Sequence, residues 1–331
     1  MPLKDQFGRT HDYLRISVTD RCNLRCLYCM GEEGIKQVAH RDILSYEEIT
    51  AVVRAGAKLG ISKIRLTGGE PLVRKNLSDL VSSIKAVEGI KDLALTTNGI
   101  LLSWQAAVLK QAGLDRVNIS LDSLNPDVYS RTTRCGELTE VLEGIEKSLE
   151  FGLDPVKINT VLMKGINETE VLDFIKLTLR KPLHVRFIEY MPIGDHDRQY
   201  RDHYLPLSYV EETAAKAGLP LTPAPLPGGA GPAEAYTVKG GKGTVGLIHP
   251  ISRHFCDKCN RLRLTAEGNL KACLYWQDEY SVKAVIEDHE ALKELIKKVL
   301  SGKPVEHQMV ADGSCGSVEP GAMRTMSKTG G

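Results

Sequence analysis

Two groups of three cysteines carry most of the chemistry in this chain. The first, Cys22, Cys26 and Cys29, is spaced C-x3-C-x2-C in the run Cys-Asn-Leu-Arg-Cys-Leu-Tyr-Cys. The second, Cys256, Cys259 and Cys273, is spaced C-x2-C-x13-C. A 4Fe–4S cluster held entirely by protein takes four thiolates. Three thiolates hold three irons and leave the fourth open to a small molecule. An open position is also what separates catalytic from structural zinc. Arg21 and Arg25 flank the first triplet, and nearby cations favour the thiolate form that binds metal. For the second triplet a Cys3His zinc site is a competing reading, with His249, His254, Cys135 and Cys315 as the available extra ligands.

Other residues suit a bound anion. In the run Asn260-Arg261-Leu262-Arg263-Leu264, strand alternation puts Arg261 and Arg263 on one face. Paired guanidiniums bind phosphate through bidentate hydrogen bonds; a solvated strand face is the plainer alternative. Gly68-Gly69-Glu70-Pro71 joins glycines that allow close backbone approach to a carboxylate that can accept from an ammonium. A simple tight turn reads equally well there.

These groups must be held by a scaffold. Short apolar runs at 14–19, 63–67, 92–97, 116–121, 155–162 and 184–190 read as strands separated by helices. Ser45-Tyr46-Glu47-Glu48 is a capping box, with Gly60 placed to end the helix it starts. Residues 103–113 and 125–152 are framed as further helices. Six β-then-α units predict a parallel sheet, either doubly wound or an incomplete barrel. Cys22, Gly68–Glu70, Thr96–Gly99, Ser120–Asp122 and Glu189–Pro192 all follow strands. In a barrel of such units that rim is the active-site face. Residues 221–233 are rich in Pro and Gly and read as a linker or surface loop. Beyond them come β-like runs at 235–239 and 244–248, a hairpin-like stretch at 261–274 that can bring Cys273 back to the C-x2-C pair, and a helix around 282–300. The expected division is 1–220 and 221–331.

Composition narrows the function class. The chain has 331 residues, 43 basic against 42 acidic, and 5% aromatics. That balance argues against broad binding to nucleic acid or an anionic membrane. No apolar run reaches the roughly 18 residues that span a bilayer. Grouped cysteines without a signal-peptide pattern indicate a reducing, cytoplasmic setting and metal in preference to disulfides.

With Tyr28 one place before Cys29, the first triplet resembles the radical S-adenosylmethionine (SAM) superfamily signature, and Gly68-Gly69-Glu70 is similar to that superfamily's GGE motif. The resemblance implies a partial (βα)6 barrel and favours it over the open sheet. It also implies a 4Fe–4S cluster on Cys22, Cys26 and Cys29, with SAM held near Tyr28, Gly69, Ser120 and Met191. Adding the second triplet, the R-L-R run and the terminal Gly330-Gly331, the whole chain resembles the GTP 3′,8-cyclase family. That likeness implies a lyase of molybdenum cofactor biosynthesis with a second 4Fe–4S cluster on Cys256, Cys259 and Cys273, in a smaller C-terminal α+β region. It further implies GTP contacts at Arg15, Arg65, Thr96, Lys157, Arg261, Leu262 and Arg263, and a Gly330-Gly331 tail that enters the site. Implied partners are GTP, an external electron donor and a downstream cyclic pyranopterin monophosphate synthase, for a monomer or homodimer. Cys135 and Cys315 match no ligand position. Two alternatives stay open: a radical SAM peptide-modifying enzyme with an auxiliary cluster, and a non-catalytic zinc module for a protein partner or RNA.

Overall fold

A computed structural model describes residues 2–35, 37–193, 197–225 and 231–309. The first six strands are β1 (Tyr13–Ser17), β2 (Lys63–Thr67), β3 (Asp92–Thr97), β4 (Arg116–Ser120), β5 (Lys157–Leu162) and β6 (His184–Glu189). All are parallel to their neighbours. The connections carry α1 (Tyr46–Lys58), α2 (Leu77–Lys85), α3 (Leu102–Gln111), α4 (Pro126–Thr133), α5 (Leu138–Glu150) and α6 (Val171–Arg180). After β6 come α7 (Asp197–His203) and α8 (Ser208–Lys216).

The remaining strands are β7 (Thr222–Pro223), β8 (Glu234–Thr237), β9 (Thr244–Ile248), β10 (Arg261–Leu264), β11 (Asn269–Lys271) and β12 (Tyr280–Ser281), followed by α9 (His289–Ser301). They extend the same sheet at both edges, in the order β12-β11-β10-β1-β2-β3-β4-β5-β6-β9-β8-β7. β9 joins β6 in parallel and β10 joins β1 in parallel. The six β/α units are therefore widened by one parallel strand on each side, drawn from the C-terminal third of the chain. The arrangement is the incomplete barrel, with antiparallel hairpins at its two margins.

Strand alternation explains the layering. Parallel strands covered on both faces usually read as continuous apolar runs. Here Tyr13-Leu14-Arg15-Ile16-Ser17 and Lys63-Ile64-Arg65-Leu66-Thr67 alternate. Leu14, Ile16, Ile64 and Leu66 join the hydrophobic core beneath the helices. Their polar neighbours face the barrel interior, which is a cavity. In α1, Ser45 accepts from the Glu48 amide at 3.1 Å while the Glu48 carboxylate accepts from the Ser45 amide at 2.6 Å, and Gly60 takes a φ of +100° beyond its end.

Two helices differ from the sequence reading. The segment 125–152 is two helices, because Arg134 turns into the left-handed region (φ 65°) and ends α4. The helix expected around 282–300 starts only at His289, where the Asp288 carboxylate accepts from the amides of Glu290 and Ala291. A short 3-10 turn over Lys283–Val285 precedes it.

Candidate active site in the barrel interior

The interior cavity holds about 320 Å³. The first residue of every parallel strand lines one end: Tyr13, Lys63, Asp92, Arg116, Lys157, His184, Thr244 and Arg261. At the other end, beyond the C-terminal ends of the strands, lie Cys22, Cys26, Cys29, Gly68, Gly69, Asn98 and Met191. The site therefore runs the length of the barrel and is not confined to the rim where the motifs cluster in sequence.

The first triplet sits on a loop held from three sides. Cys29 and Met30 both donate their amides to the Cys26 carbonyl at 3.0 Å, closing a turn. The last carbonyls of α4, which no intrahelical donor can reach, accept from this loop: Thr133 from the Arg25 amide and Thr132 from the Leu27 amide, each at 3.0 Å. Arg134 Nη1 donates to the carbonyls of Arg25 (3.0 Å) and Met30 (2.8 Å). The break after α4 thus clamps the cysteine loop.

The glycines of Gly68-Gly69-Glu70 are required by this loop. A Cβ on Gly69 would stand 2.3 Å from the Arg21 carbonyl oxygen, and one on Gly68 2.6 Å from that of Thr19. Gly69 and Glu70 donate their amides to Thr19 and Arg21, each at 2.7 Å. Glu70 is already occupied within the protein. Its carboxylate accepts from the Leu72 amide (3.0 Å), Thr97 Oγ1 (2.8 Å) and the Asn98 amide (2.7 Å). Its first task is to tie the end of β2 to the end of β3. Burial nevertheless pushes its pKa up to about 7.

Arg25 favours the Cys22 thiolate as the sequence suggested, but burial outweighs it. Arg25 donates to the carbonyls of Cys22 (2.9 Å) and Leu24 (2.8 Å), bracing the backbone. Burial dominates the thiols, pushing Cys22 up to about 11 and Cys26 well above its ordinary value, with Cys29 and Cys22 adding repulsion at Cys26. Cys22 and Cys26 thus resist ionisation in the empty loop, and a cationic iron core would offset that cost.

In the second triplet, Cys259 and Cys273 both raise Cys256, after burial. β10 and β11 pair antiparallel, which returns Cys273 to the C-x2-C pair. Among the described residues no group of three or more His, Cys, Asp or Glu side chains converges on one metal ion. A cubane instead spreads its thiolates over separate irons, so both triplets fit clusters better than a single zinc. The histidines proposed for zinc are engaged elsewhere: His249 Nδ1 lies 3.3 Å from Ser252 Oγ and 3.5 Å from Glu189, and His254 Nε2 lies 3.2 Å from Glu306. Cys135 is exposed and its thiol meets the Asn23 carbonyl at 3.3 Å. Cys315, Gly330 and Gly331 lie outside the described residues.

Tyr28, Gly69, Ser120 and Met191 all line the cavity. Tyr28 donates its hydroxyl to Asp122 Oδ2 at 2.7 Å; burial pushes Asp122 up to about 6. Arg15, Arg65, Thr96, Lys157, Arg261 and Arg263 also line it, whereas the Leu262 side chain packs in the core, leaving only its backbone for a ligand. Burial and neighbouring guanidiniums bring Lys157 down to about 7, and burial with Arg261 brings Arg263 to about 10. Among the described residues, Arg65 Nε, Thr96 Oγ1, Asn159 Oδ1 and Arg186 Nε are buried without a hydrogen-bond partner. Buried donors such as Arg65 Nε and Arg186 Nε, unsatisfied in a largely cationic wall, fit a polyanion.

Sequence reasoning missed Arg186 and Arg134; it placed Asn98 and Asp122 on the rim where the strands end but gave neither a role. Arg186 was within reach, since it shares the inward phase of His184 on the expected sixth strand. The Pro/Gly-rich stretch is more than a surface loop, because Gly231, Pro232 and Ala233 line the cavity.

A partial parallel barrel with a three-cysteine loop at the C-terminal ends of its strands defines a radical SAM protein, and residues 16–178 match the Radical SAM superfamily model. Residues 183–309 match the Molybdenum Cofactor Synthesis C model. A GTP 3′,8-cyclase of Listeria monocytogenes is 50% identical over 93% of this chain and 92% of its own. One of Pelotomaculum thermopropionicum is 51% identical (93% and 96%), and one of Lactiplantibacillus plantarum 44% identical (99% and 99%). The chain belongs to the GTP 3′,8-cyclase family. The crystal structure of Streptococcus suis SuiB bound to S-adenosylmethionine shares the fold, with a TM-score of 0.56 at 13% identity, over 89% of this chain and 64% of that longer one.

Proposed function

We propose that this chain converts GTP to 3′,8-cyclo-7,8-dihydro-GTP, the first step of molybdopterin biosynthesis. One observation carries the reading. A single cavity is lined by Cys22, Cys26 and Cys29 at one end and by buried cations at the other. It suits a radical source and a triphosphate facing each other. The whole-length similarity to GTP 3′,8-cyclases supports the same substrate.

When bound, the N-terminal cluster and SAM supply a one-electron reductive cleavage that yields methionine and a 5′-deoxyadenosyl radical. In this reading Cys22, Cys26 and Cys29 hold that cluster, and Tyr28, Gly69, Ser120 and Met191 hold SAM. Arg15, Arg65, Lys157, Arg261 and Arg263 neutralise the triphosphate. Thr96 and the Leu262 backbone complete the GTP contacts. Cys256, Cys259 and Cys273 hold a second cluster beside the nucleoside. The overall reaction removes the C3′ hydrogen of the ribose and joins C3′ to C8 of guanine. The chain's contribution is to fix the ribose toward the first triplet and to keep water out of the barrel. Residues 1–220 would make the radical and share the substrate's binding with residues 221–331, which carry the second triplet. An external electron donor and a downstream cyclic pyranopterin monophosphate synthase complete the sequence.

Anaerobic reconstitution tests this. About eight irons per chain are expected for two 4Fe–4S sites. Incubation with SAM, GTP and a reductant should release 5′-deoxyadenosine and the cyclised nucleotide. Full iron loading without 5′-deoxyadenosine would sink the reading.

A further inference from the structure

Lys303 follows α9 and belongs to none of the motifs above. It is 3% exposed. Its Nζ donates to the carbonyl of Arg261 at 2.8 Å and to that of Ala272, and it is hydrogen-bonded to the Cys259 thiol. An ammonium has three hydrogens to donate. All are committed to the two segments that carry Cys259 and Cys273.

The neighbouring cations are placed differently. Arg9 stands beside the Asp5 carboxylate at 2.5 Å and spends its other donors on the carbonyls of Cys256, Pro304 and Val305. Lys271 pairs with Glu279 at 3.1 Å. Arg261 and Arg263 line the cavity on the substrate side. Lys303 has no carboxylate partner among the described residues, and the anionic groups that favour its charge are the thiolates of Cys259 and Cys273. A buried charge without a counter-charge is strongly destabilising. The arrangement is balanced once an anionic group sits on the triplet. A 4Fe–4S core with three thiolates is such a group, and each reduction adds a negative charge to it.

We propose that Lys303 sets the reduction potential of the cluster held by Cys256, Cys259 and Cys273, by placing a fixed positive charge and a hydrogen bond on the Cys259 sulfur. Hydrogen bonds to sulfur and local charge are two of the protein's means of tuning such clusters. The inference rests on the reading that this triplet carries a cluster. Lys303 is a positioning residue with an electrostatic effect, and it touches neither substrate nor SAM.

The test is a dithionite titration of the anaerobically reconstituted full chain, followed by electron paramagnetic resonance. Parent protein is compared with Lys303→Met, Lys303→Gln and Lys303→Arg. The N-terminal cluster serves as internal reference. Parent protein that takes up only about four irons, or zinc at the second triplet, refutes the cluster reading itself. With both clusters present, the neutral variants should lower the second potential by about tenfold in the reduction equilibrium, about 59 mV for a one-electron couple. Lys303→Arg should stay near the parent, and the N-terminal potential should not move. A loaded neutral variant with an unshifted second potential overturns the proposal. If neither neutral variant loads the second cluster but Lys303→Arg does, the charge is required and the proposal stands. If all three fail to load it, Lys303 is only a clamp on the Arg261 and Ala272 carbonyls, and the proposal falls.

Discussion

Arg15 on β1 and Arg263 on β10 are direct register partners, although they come from opposite ends of the chain. Arg65 on β2 flanks Arg15 on the other side. Neighbouring strands lie about 4.8 Å apart, so three guanidiniums stand in one buried row. Burial and then Arg263 and Arg65 hold Arg15 well below its ordinary pKa. Such a row is unfavourable until an anion fills it. Replacing Arg263 with Leu should weaken GTP binding by about 1.5–3 kcal/mol, the usual range for a charge-assisted hydrogen bond, while raising the melting temperature of the ligand-free protein. Calorimetric binding and thermal unfolding read the two effects. Unchanged GTP affinity would remove Arg263 from the triphosphate site.

Lys157 predicts a pH dependence of binding. Its pKa near 7 lies below the ordinary 10.5 because burial, then Arg186, Arg116 and Arg65, disfavour its charge. Between those two values the unfolded chain holds the proton more tightly. This residue's contribution to ligand-free stability therefore rises with pH from about 7 to 10.5 and is lost as pH falls through 7. A triphosphate favours the charged form, so above pH 7 GTP binding must take up a proton and affinity falls as pH rises. Lys157→Arg, charged throughout, should flatten the profile relative to the parent. Parallel profiles for the two proteins would refute this.

Gly69 is fixed by the cysteine loop. Gly69→Ala would press a methyl group against the Arg21 carbonyl and displace the loop. Overpacking of this kind costs about 1–3 kcal/mol. Iron after reconstitution should fall from about eight toward about four per chain, the second triplet being untouched. Full iron content in the variant would show that the loop yields without losing its cluster.

Arg134 makes a separate prediction. Removing its two hydrogen bonds to Arg25 and Met30 in Arg134→Ala should loosen the first triplet by about 1–3 kcal/mol. A chelator should then strip the N-terminal cluster faster, with GTP affinity unchanged. Equal stripping rates for variant and parent would mean that the α4 carbonyls alone hold the loop.

Asp122 tests the placement of Tyr28. Asp122→Asn keeps the size but exchanges a carboxylate acceptor for an amide, releasing the 2.7 Å bond from the Tyr28 hydroxyl. SAM affinity should fall several-fold while GTP affinity stays, read by equilibrium binding of each. A variant that binds SAM like the parent would confine Asp122 to capping the Val161 amide, which it also accepts at 2.8 Å.

Much of this protein was written locally. The cysteine spacings, the capping box at Ser45 and the alternation of Arg261 with Arg263 depend on neighbours a few residues away, and such patterns survive in a one-dimensional reading. The six strands were legible for the same reason, since each is a short apolar run separated from the next by a helical segment. The break after α4 was not, because Arg134 leaves helical geometry to bind the carbonyls of Arg25 and Met30, which are remote in sequence. Glu70 looked available to a ligand until folding brought the Thr97 hydroxyl and the Asn98 amide to it.

What the chain determined by itself was the kind of chemistry: two open cysteine triplets and a set of cations. Only the tertiary structure decided where these act together. Pairing β1 with both β2 and β10 turned Arg15, Arg65 and Arg263 into one row. The packing of α9 and the segment after it brought Lys303 to the Cys259 sulfur. The physical reason is that charge interacts through distance in space, and parallel strand pairing joins residues whose separation along the chain carries no signal of that distance.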